Sequence, residues 1–294
     1  LYTYYSTRNT LTRIHQKSAD LRHVVQTSLE RNRKKYDLQS KQLKGTEKRD
    51  KYKVYGELIN TYGYNLEPGS KELTALNYYT NEEITIPLDP TQTPGENAQR
   101  YFAKYNKQKR TFEALTELIR ETADDIEYLE SIGNALDIAL SEADLAQIKE
   151  ELMLSGYIRR KHTKKKVKLT SKPMHYISSD GYDMYVGKNN LQNEELTFSL
   201  ANGNDWWFHA KGTPGSHVIV KSGGNELPDQ TFEEAGRLAA YYSKNRGADK
   251  VEIDYIQKKH VKKPNGAKPG FVVYYTNYSL VIDSDISNIK NVQD

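Results

Sequence analysis

The clearest hydrophobic pattern in the chain follows Thr93, where seam residues recur at intervals that alternate between four and three. A 3.5-residue period kept over five heptads is typical of a coiled-coil helix. The sequence Thr93-Pro94-Gly95-Glu96 predicts where this helix begins, with Thr93 as the N-cap and Glu96 as its reciprocal capping residue. The seam positions are Tyr101, Tyr105, Gln108, Phe112, Leu115, Ile119, Thr122, Ile126, Leu129, Gly133, Leu136 and Leu140.

A second long helix is predicted over about 1–62, because this stretch lacks proline and has only two glycines, Gly45 and Gly56. Its apolar spacing drifts, as in a coiled coil with stutters. The apolar positions are Ile14, Leu21, Leu29, Tyr36, Leu43, Tyr52, Tyr55, Ile59 and Tyr62.

The segment between the two helices, 63–93, has the glycines and prolines that interrupt helices. Tyr78-Tyr79 and Ile84-Thr85-Ile86 predict a short hairpin or cap at this tip. Exposed tyrosines there are equally compatible with a contact surface and with a simple turn, and both interpretations stay open.

The charges predict how the two helices pair. Residues 1–62 hold 14 Lys and Arg against 6 Asp and Glu, whereas residues 63–155 hold 8 against 18. Opposite charge on flanking positions favours pairing between the two helices. We therefore predict an antiparallel coiled-coil hairpin over 1–155, with arms at about 1–62 and 94–154 and the tip at 63–93. Ordinary amphipathic helices in a bundle remain the alternative.

The second half, 156–294, changes to the period of two that is typical of strands. Strands are predicted at 175–178, 182–186, 217–221, 251–257, 271–276 and 278–283. Helices are predicted at 189–200 and at about 232–245, the latter beginning at a capping box of Thr231 and Glu234. This order predicts an α+β fold, in which a mixed, mainly antiparallel sheet follows the helical hairpin and carries helices on one face.

Composition agrees with long exposed helices, since the hydrophobic fraction is 36%, the charged fraction 28% and the mean hydropathy −0.84. The chain has no cysteine, which excludes disulfides and cysteine-ligated metal sites. No stretch approaches the roughly 18 apolar residues of a membrane span. We therefore predict no membrane-spanning segment.

A basic run opens the second half, 156–294, which with the run included holds 21 basic against 15 acidic residues. An isolated run of this kind is usually a solvated linker, but as part of a half with net positive charge it favours contact with a polyanion. Its candidate RNA-binding residues are Arg159, Arg160, Lys164, Lys165 and Lys166.

Two further segments, DWWFHAKGTPGSHV (205–218) and VKKPNGAKPGFVVY (261–274), combine aromatic rings, imidazoles and lysines around glycine turns. This combination suits RNA, whose bases stack on flat side chains and whose phosphates pair with cations. The candidate RNA-binding residues are Asp205, Trp206, Trp207, His209, Lys211, His217, Lys262, Lys263 and Lys268.

A chemical role for Asp205, His209 and His217, as metal ligands or a hydrolytic pair, is disfavoured. The sequence has neither two histidines spaced for one face of a helix nor a second acidic cluster there. Since no glycine-rich phosphate loop follows a strand either, we predict a binding protein that is not an enzyme and needs no cofactor or metal. A structural role, with the tryptophans in the core and His209 bonded to backbone, stays open.

The same two segments, together with PGENAQRYFAKYNKQKR (94–110), closely resemble the C-terminal half of the NFACT family, which includes bacterial fibronectin-binding protein A-like proteins and ribosome quality-control factor H. The resemblance implies binding to the large ribosomal subunit, tRNA and rRNA. It also implies support for untemplated C-terminal alanine tailing of stalled nascent chains.

The resemblance leaves a second function open, because relatives in Gram-positive cocci are also described as surface adhesins that bind fibronectin. The basic charge and the long helices favour the ribosomal role and a cytoplasmic location, with a cell-surface location as the alternative. The family's N-terminal domain and its tRNA-recognition pair are expected to lie outside this sequence. Tailing by this chain alone is therefore not expected.

Overall fold

A computed structural model of the protein describes residues 12–159 and 171–292. The chain divides into two compact units, Arg31–Asp125 and a second unit formed by Leu1–Glu30 together with Ile126–Asp294. The predicted boundary after residue 155 separates regions of different sequence character and stays a prediction.

The helices of the first half are α1 (Ala19–Lys44), α2 (Asp50–Tyr62), α3 (Pro94–Ile138) and α4 (Glu142–Leu154), and the 63–93 segment lies between α2 and α3. Residues 12–17 are also helical. The single helix predicted over 1–62 is thus wrong in its continuity, because the chain turns at 45–49 through Gly45 and a short 3-10 segment, Glu47–Arg49.

The predicted start of α3 is confirmed. The Thr93 backbone N–H donates to Glu96 Oε2 at 2.8 Å, and the Glu96 N–H donates to Thr93 Oγ1 at 3.2 Å. These two bonds satisfy amide groups that the first helical turn leaves without partners.

Within the unit Arg31–Asp125, contacts between α3 and the preceding helices run in opposite directions along the sequence. Thr122 donates to the Gln39 side chain at 3.0 Å, and the Arg49 guanidinium lies 4.0 Å from the centroid of the Phe112 ring. Further along, the Tyr55 and Tyr101 rings lie 5.3 Å apart. The predicted antiparallel direction is confirmed, while coiled-coil packing as such stays a prediction.

The predicted hairpin in the 63–93 segment is also confirmed. Strands β1 (Glu72–Asn77) and β2 (Glu82–Pro87) pair antiparallel. Leu73 and Ile86 are buried against Leu58 of α2. Because the inward positions alternate with exposed ones, this hairpin has one apolar face and one solvated face.

In the other unit, the end of α3 packs with the beginning of α1 and with α4. Leu129, Ile132 and Leu152 are completely buried in one cluster with Leu29. Leu140 was predicted as the last seam position, but it is exposed. α3 ends at Ile138 and a new capping box at Ser141 begins α4, so the heptad pattern does not extend that far.

The second half forms a seven-stranded antiparallel sheet in the order β8-β7-β5-β6-β4-β3-β9, which confirms the α+β class. The strands are β3 (Met174–Ile177), β4 (Asp183–Val186), β5 (Trp206–Ala210), β6 (Val218–Val220), β7 (Val251–Gln257), β8 (Tyr278–Ile282) and β9 (Lys290–Asn291). Two helices accompany them, α5 (Asn190–Glu195, continued by a π-helical turn, Leu196–Leu200) and α6 (Asp229–Tyr241).

Helices cover both faces of this sheet, so the expectation of helices on one face is wrong. Phe208 of β5 belongs to the core beneath α6, whereas its neighbour Trp207 packs with Leu196 behind α5. Covering both faces also explains why β5 was not predicted. Three aromatic residues stand in succession at 206–208 and only His209 interrupts the apolar residues, so the alternation that reveals a half-exposed strand is missing.

The strand predicted at 271–276 is wrong as well. Only Val273 forms a bridge, with Lys262, and Thr276 has a φ of 58° that turns the chain before a ladder can extend. The 271–276 segment is therefore a loop, joined by a single bridge to Lys262.

The capping box predicted for α6 is also wrong, because the helix begins at Asp229. Thr231 Oγ1 instead donates to Asp180 Oδ2 at 2.7 Å, and Glu234 Oε2 accepts from the Ser179 backbone N–H at 2.8 Å. The two side chains therefore fix the turn between β3 and β4 against α6.

Candidate nucleic-acid interface

Strand β5 sends its two tryptophans to opposite faces of the sheet, as successive residues of a strand must. Trp206 is partly exposed and contacts Phe232 of α6, with ring centroids 4.8 Å apart. Trp207 is completely buried and lies 4.9 Å from Tyr274 and 5.1 Å from His217. Trp206 and Trp207, both predicted to contact RNA, therefore lie on different faces of the sheet.

Beside Trp207 the sheet face opens into a cavity of about 160 Å³, which we call the Trp207 cavity. It brings together the two segments singled out in the sequence, 205–218 and 261–274, and one side of α3 and α5. Its lining residues are Glu127, Tyr128, Ser131, Asn190, Asn193, Trp207, His209, Gly212, Thr213, Pro214, Gly215, His217, Pro269, Gly270, Phe271, Val272 and Tyr274.

The two imidazoles of the cavity are neutral at physiological pH. Burial lowers the pKa of His209 to about 4, although hydrogen bonds to the backbone of Gly215 and Ala210 act in the opposite direction. Burial also lowers the pKa of His217 well below its ordinary value, and the nearby His209 adds to this effect. The histidines therefore offer flat, polar and uncharged surfaces.

His217 joins three parts of the cavity wall. Its Nδ1 lies 2.8 Å from Thr197 Oγ1, and its backbone N–H donates to Asn193 Oδ1 at 3.0 Å. The 269–272 loop comes so close to α5 that a Cβ atom on Gly270 would lie 2.9 Å from Asn190 Oδ1, and Gly270 has a φ of +76°. Glycine alone has no Cβ to collide with Asn190 and adopts a positive φ without strain.

Tyr274 is fixed on the opposite wall by a buried carboxylate. Its hydroxyl donates to Asp254 Oδ2 at 2.9 Å, and Asp254 Oδ1 accepts from Ser279 at 2.7 Å. Burial raises the pKa of Tyr274, and the hydrogen bond to Asp254 raises it further. The ring thus remains a neutral phenol with a defined orientation.

The predicted lysines of the 261–274 loop lie beside the cavity and not inside it. Lys263 Nζ contacts both oxygens of Glu194 at 2.8 Å, and the same carboxylate accepts from the Gly270 N–H at 3.2 Å. The Lys268 ammonium lies 4.9 Å from the centroid of the Tyr128 ring. Lys262 is exposed.

The other predicted cations lie elsewhere. Lys211 is exposed and pairs with Glu252 at 2.5 Å. Arg159 is exposed at the end of the described helical segment. Arg160, Lys164, Lys165 and Lys166 lie outside the described residues.

Asp205 is buried and holds the beginning of β5 in place. It accepts from the Lys221 ammonium at 2.5 Å, from the Ser222 N–H at 3.0 Å and from the Asn202 N–H at 2.7 Å. It does not line the Trp207 cavity. Within 12–159 and 171–292, no group of three or more His, Cys, Asp or Glu side chains is arranged to hold a metal ion.

Comparison with known families decides the relationship of the chain. Residues 1–171 match the family model described as NFACT N-terminal and middle domains, and residues 172–275 match that of the NFACT protein RNA binding domain. The chain belongs to the NFACT family. The cavity and its loop lysines thus lie in the part of this NFACT chain that corresponds to an RNA-binding domain, apart from the residues supplied by α3.

Curated NFACT relatives include the Rqc2 homologue RqcH of Streptococcus pneumoniae and that of Bacillus subtilis. Each is 40% identical to this chain. The match with the Streptococcus pneumoniae protein covers 100% of this chain and 53% of the relative, and the match with the Bacillus subtilis protein covers 94% and 49%. The chain therefore spans about half the length of these relatives. A solved structure, the C-terminal part of the fibronectin/fibrinogen-binding protein of Streptococcus suis, is also similar. It has 37% identity and a TM-score of 0.73, and the match covers 94% of this chain and 97% of that one.

Several residues around the Trp207 cavity were not predicted from the sequence. Asn190 Nδ2 donates to Ser131 at 2.7 Å and to Glu151 Oε1 at 2.8 Å, which joins α3, α4 and α5 behind the cavity. Burial raises the pKa of Glu151 to about 7, while the hydrogen bond from Asn190 opposes this. These polar residues are scattered along helices and belong to no motif, so only the tertiary fold reveals them.

Among the described residues, no helix is long and apolar enough to cross a membrane.

Proposed function

We propose that this NFACT chain is the part of a ribosome quality-control factor that binds the large ribosomal subunit, tRNA and rRNA. In this role it supports untemplated C-terminal alanine tailing of stalled nascent chains in the cytoplasm. The observation that carries the proposal is the Trp207 cavity with lysines beside it, in a region that matches an RNA-binding domain. Similarity to the RqcH proteins supports the ribosomal context.

The physical case rests on two kinds of contact that RNA offers together. Lysines neutralise phosphates and release counterions, which gives affinity that depends on salt but not on sequence. Aromatic and imidazole faces take up unpaired bases, as single-stranded RNA-binding proteins do. Lys262, Lys263 and Lys268 supply the first kind, and His209 and Tyr274, which are partly exposed on the cavity wall, supply the second.

The paired helices fit the same proposal. We assign them a coiled-coil arm that carries the hairpin of β1 and β2, whose Tyr78 and Tyr79 are exposed and supply a contact surface. The chain acts by binding and not by catalysis in this proposal, and it needs no cofactor. Any tailing is promoted through the partners that it holds.

A second candidate function comes from the similarity to the Streptococcus suis protein, whose name states that it binds fibronectin or fibrinogen. In this alternative the chain is a fibronectin-binding segment at the surface of a Gram-positive bacterium. The two candidates call for different partners and respond differently to salt.

Co-sedimentation of the 294-residue chain with purified large ribosomal subunits, and capture by immobilised fibronectin, separates the candidates. Both are measured at a low and a high salt concentration, with small subunits as the matched control. We expect retention by large subunits and tRNA that weakens as salt rises, because phosphate contacts dominate. Retention by fibronectin alone would contradict the proposal and favour the adhesin.

A further inference from the structure

We infer that the Trp207 cavity is a pocket for one unpaired, uncharged nucleobase, whose phosphate groups stay outside on the lysines of the 261–274 loop. This inference rests on the proposed function and names the element of RNA that the site takes. It is carried by the size of the cavity, its aromatic walls, its lack of lining cations and the position of the lysines.

The cavity suits a single ring system. Its volume of about 160 Å³ is below the roughly 300–1,000 Å³ of pockets that hold drug-sized ligands. Its walls are flat, since the Trp207 and His209 rings are tilted by only 17° with centroids 5.7 Å apart. Tyr274 adds a third ring that its bond to Asp254 holds in place. His209 and Tyr274 are partly exposed, and flat rings of this kind are the surfaces on which bases stack.

The interior disfavours an anion. No lysine or arginine lines the cavity among the residues that the structure describes, and Glu127 places a carboxylate on its wall. His217 is buried and His209 is partly buried, and desolvation lowers the pKa of both, so both are uncharged. A phosphate or carboxylate that entered would lose its water without gaining a countercharge, which is unfavourable. A nucleobase is flat, polar and neutral, and it meets no such cost.

The cations are placed where the phosphates of an inserted base would emerge. Lys268 lies over Tyr128, which lines the cavity, and the neighbouring residues Pro269 and Gly270 form part of its wall. Lys263 is held beside Gly270 because Glu194 binds both the ammonium and the Gly270 N–H. The cavity offers neutral rings and the adjoining loop offers cations. The site therefore suits a nucleotide within an RNA strand better than a free anion.

The wall also has an unsatisfied donor. Trp207 Nε1 is buried and has no hydrogen-bond partner among the described residues. Such groups are rare in folded proteins and call for an explanation. Nucleobases carry ring nitrogens and carbonyl oxygens along their edges, so a bound base brings the kind of acceptor that this wall lacks.

The test uses Trp207 itself as the reporter. The protein has two tryptophans, so in the 294-residue chain with Trp206→Phe all tryptophan emission comes from Trp207. The RNA affinity of this variant is measured beside that of the unaltered chain. It is titrated with each of the four nucleoside monophosphates, with inorganic phosphate, with a short single-stranded RNA and with the abasic form of that strand. Binding of each strand is measured separately by fluorescence anisotropy of a label on the strand.

We expect the single-stranded RNA and at least one nucleoside monophosphate to change the Trp207 emission, and inorganic phosphate and the abasic strand to leave it unchanged. The abasic strand should bind roughly 10- to 100-fold more weakly, because one stacked base is lost. Thr213→Phe, which narrows the cavity, should abolish the emission change. The matched control is Asn225→Phe, on an exposed turn that does not line the cavity, and it should leave the change intact.

Each other outcome overturns a different statement. If the abasic and the complete strand bind equally and neither alters Trp207, the pocket assignment is wrong while RNA binding stands. If nucleoside monophosphates alter Trp207 but neither strand binds, the pocket stands and the proposed function fails. If none of the nucleoside monophosphates and neither strand alters the emission, the cavity does not take a base and the inference is wrong.

Discussion

The two faces of the seven-stranded sheet are built from the same strands but differ in how completely they are closed. Beneath α6, residues such as Phe208, Val218 and Leu238 are completely buried in one large cluster. On the other face, Trp207 and Ile219 belong to a smaller cluster that adjoins an open cavity. The first face stabilises the domain, and the second leaves aromatic and polar groups on the wall of the cavity. The neighbouring residues Trp207 and Phe208 of β5 point to these two different faces.

The largest expected effect tests the closed face. Phe208→Ala removes a ring that is completely buried beneath α6, and such truncations cost about 3–5 kcal/mol. We expect the free energy of unfolding, measured by urea titration, to fall by about that amount. Thr213→Ala, on the rim of the open face, should change it by less than about 0.5 kcal/mol. Equal losses for both variants would break the distinction between the faces.

A similar contrast lies within one turn of α3, where Tyr128 lines the cavity while Leu129 is completely buried among the helices. Leu129→Ala should lower the free energy of unfolding by roughly 2–5 kcal/mol and leave RNA affinity unchanged at temperatures where the chain stays folded. Leu118→Ala is the matched control, because Leu118 is 41% exposed, and it should have little effect. A comparable loss at Leu118 would argue that other chains cover this helix.

Glu151, behind the cavity, predicts a pH effect. Burial raises the pKa of its carboxyl group to about 7, so the folded state holds a proton that the unfolded state releases above about 4.5. The raised pKa therefore does not lower the free energy of unfolding below about pH 4.5. As the pH rises to 7, it lowers the free energy of unfolding progressively, by roughly 3 kcal/mol in all. Glu151→Gln should remove this dependence while the amide oxygen still accepts from Asn190.

His209 acts in the opposite direction, because burial lowers its pKa to about 4. Its contribution is present above about pH 6.5 and is lost as the pH falls through 4. The pH dependence of the free energy of unfolding therefore contains contributions from both Glu151 and His209. The difference between Glu151→Gln and the unaltered chain, measured by urea titration from pH 4.5 to 8, isolates Glu151. A difference that stays constant over this range would contradict the raised pKa.

The sequence predicted the features that depend on local periodicity and capping. The heptad pattern and the capping box of Thr93 and Glu96 located α3, and opposite charges indicated its antiparallel partners. The two segments rich in aromatic residues and lysines, 205–218 and 261–274, both contribute residues to the cavity, while their contact with RNA stays a prediction. Local patterns failed where tertiary contacts decide, as for Thr231, whose hydroxyl bonds the turn at Asp180 instead of capping a helix.

The remaining misses have the same cause. Strand β5 lacks alternation because both of its faces are covered, and the 271–276 segment alternates like a strand although it finds only one bridging partner. Asn190 and Tyr128 reach the cavity from helices that are distant in the sequence. Long-range packing of this kind has no signature in a single sequence.

The smallest expected effect gives the most direct test of the central claim, which is that RNA is bound by the face carrying the Trp207 cavity and its loop lysines. The measurement is tRNA affinity across a series of salt concentrations for Lys262→Glu with Lys263→Glu. Lys250→Glu, an exposed reversal at the start of β7, serves as the control. Because Lys263 pairs with Glu194, Lys263→Gln and a thermal unfolding curve separate loss of contact from loss of fold.

We expect the double reversal to weaken binding to all RNAs alike and to flatten the plot of log affinity against log salt. Each lost phosphate contact on single-stranded RNA should change the slope by about 0.7, so two contacts change it by about 1.4. The Lys250 control should keep the original slope. If the folded double variant binds tRNA and large subunits with unchanged affinity and slope, the claim that this face binds RNA is wrong.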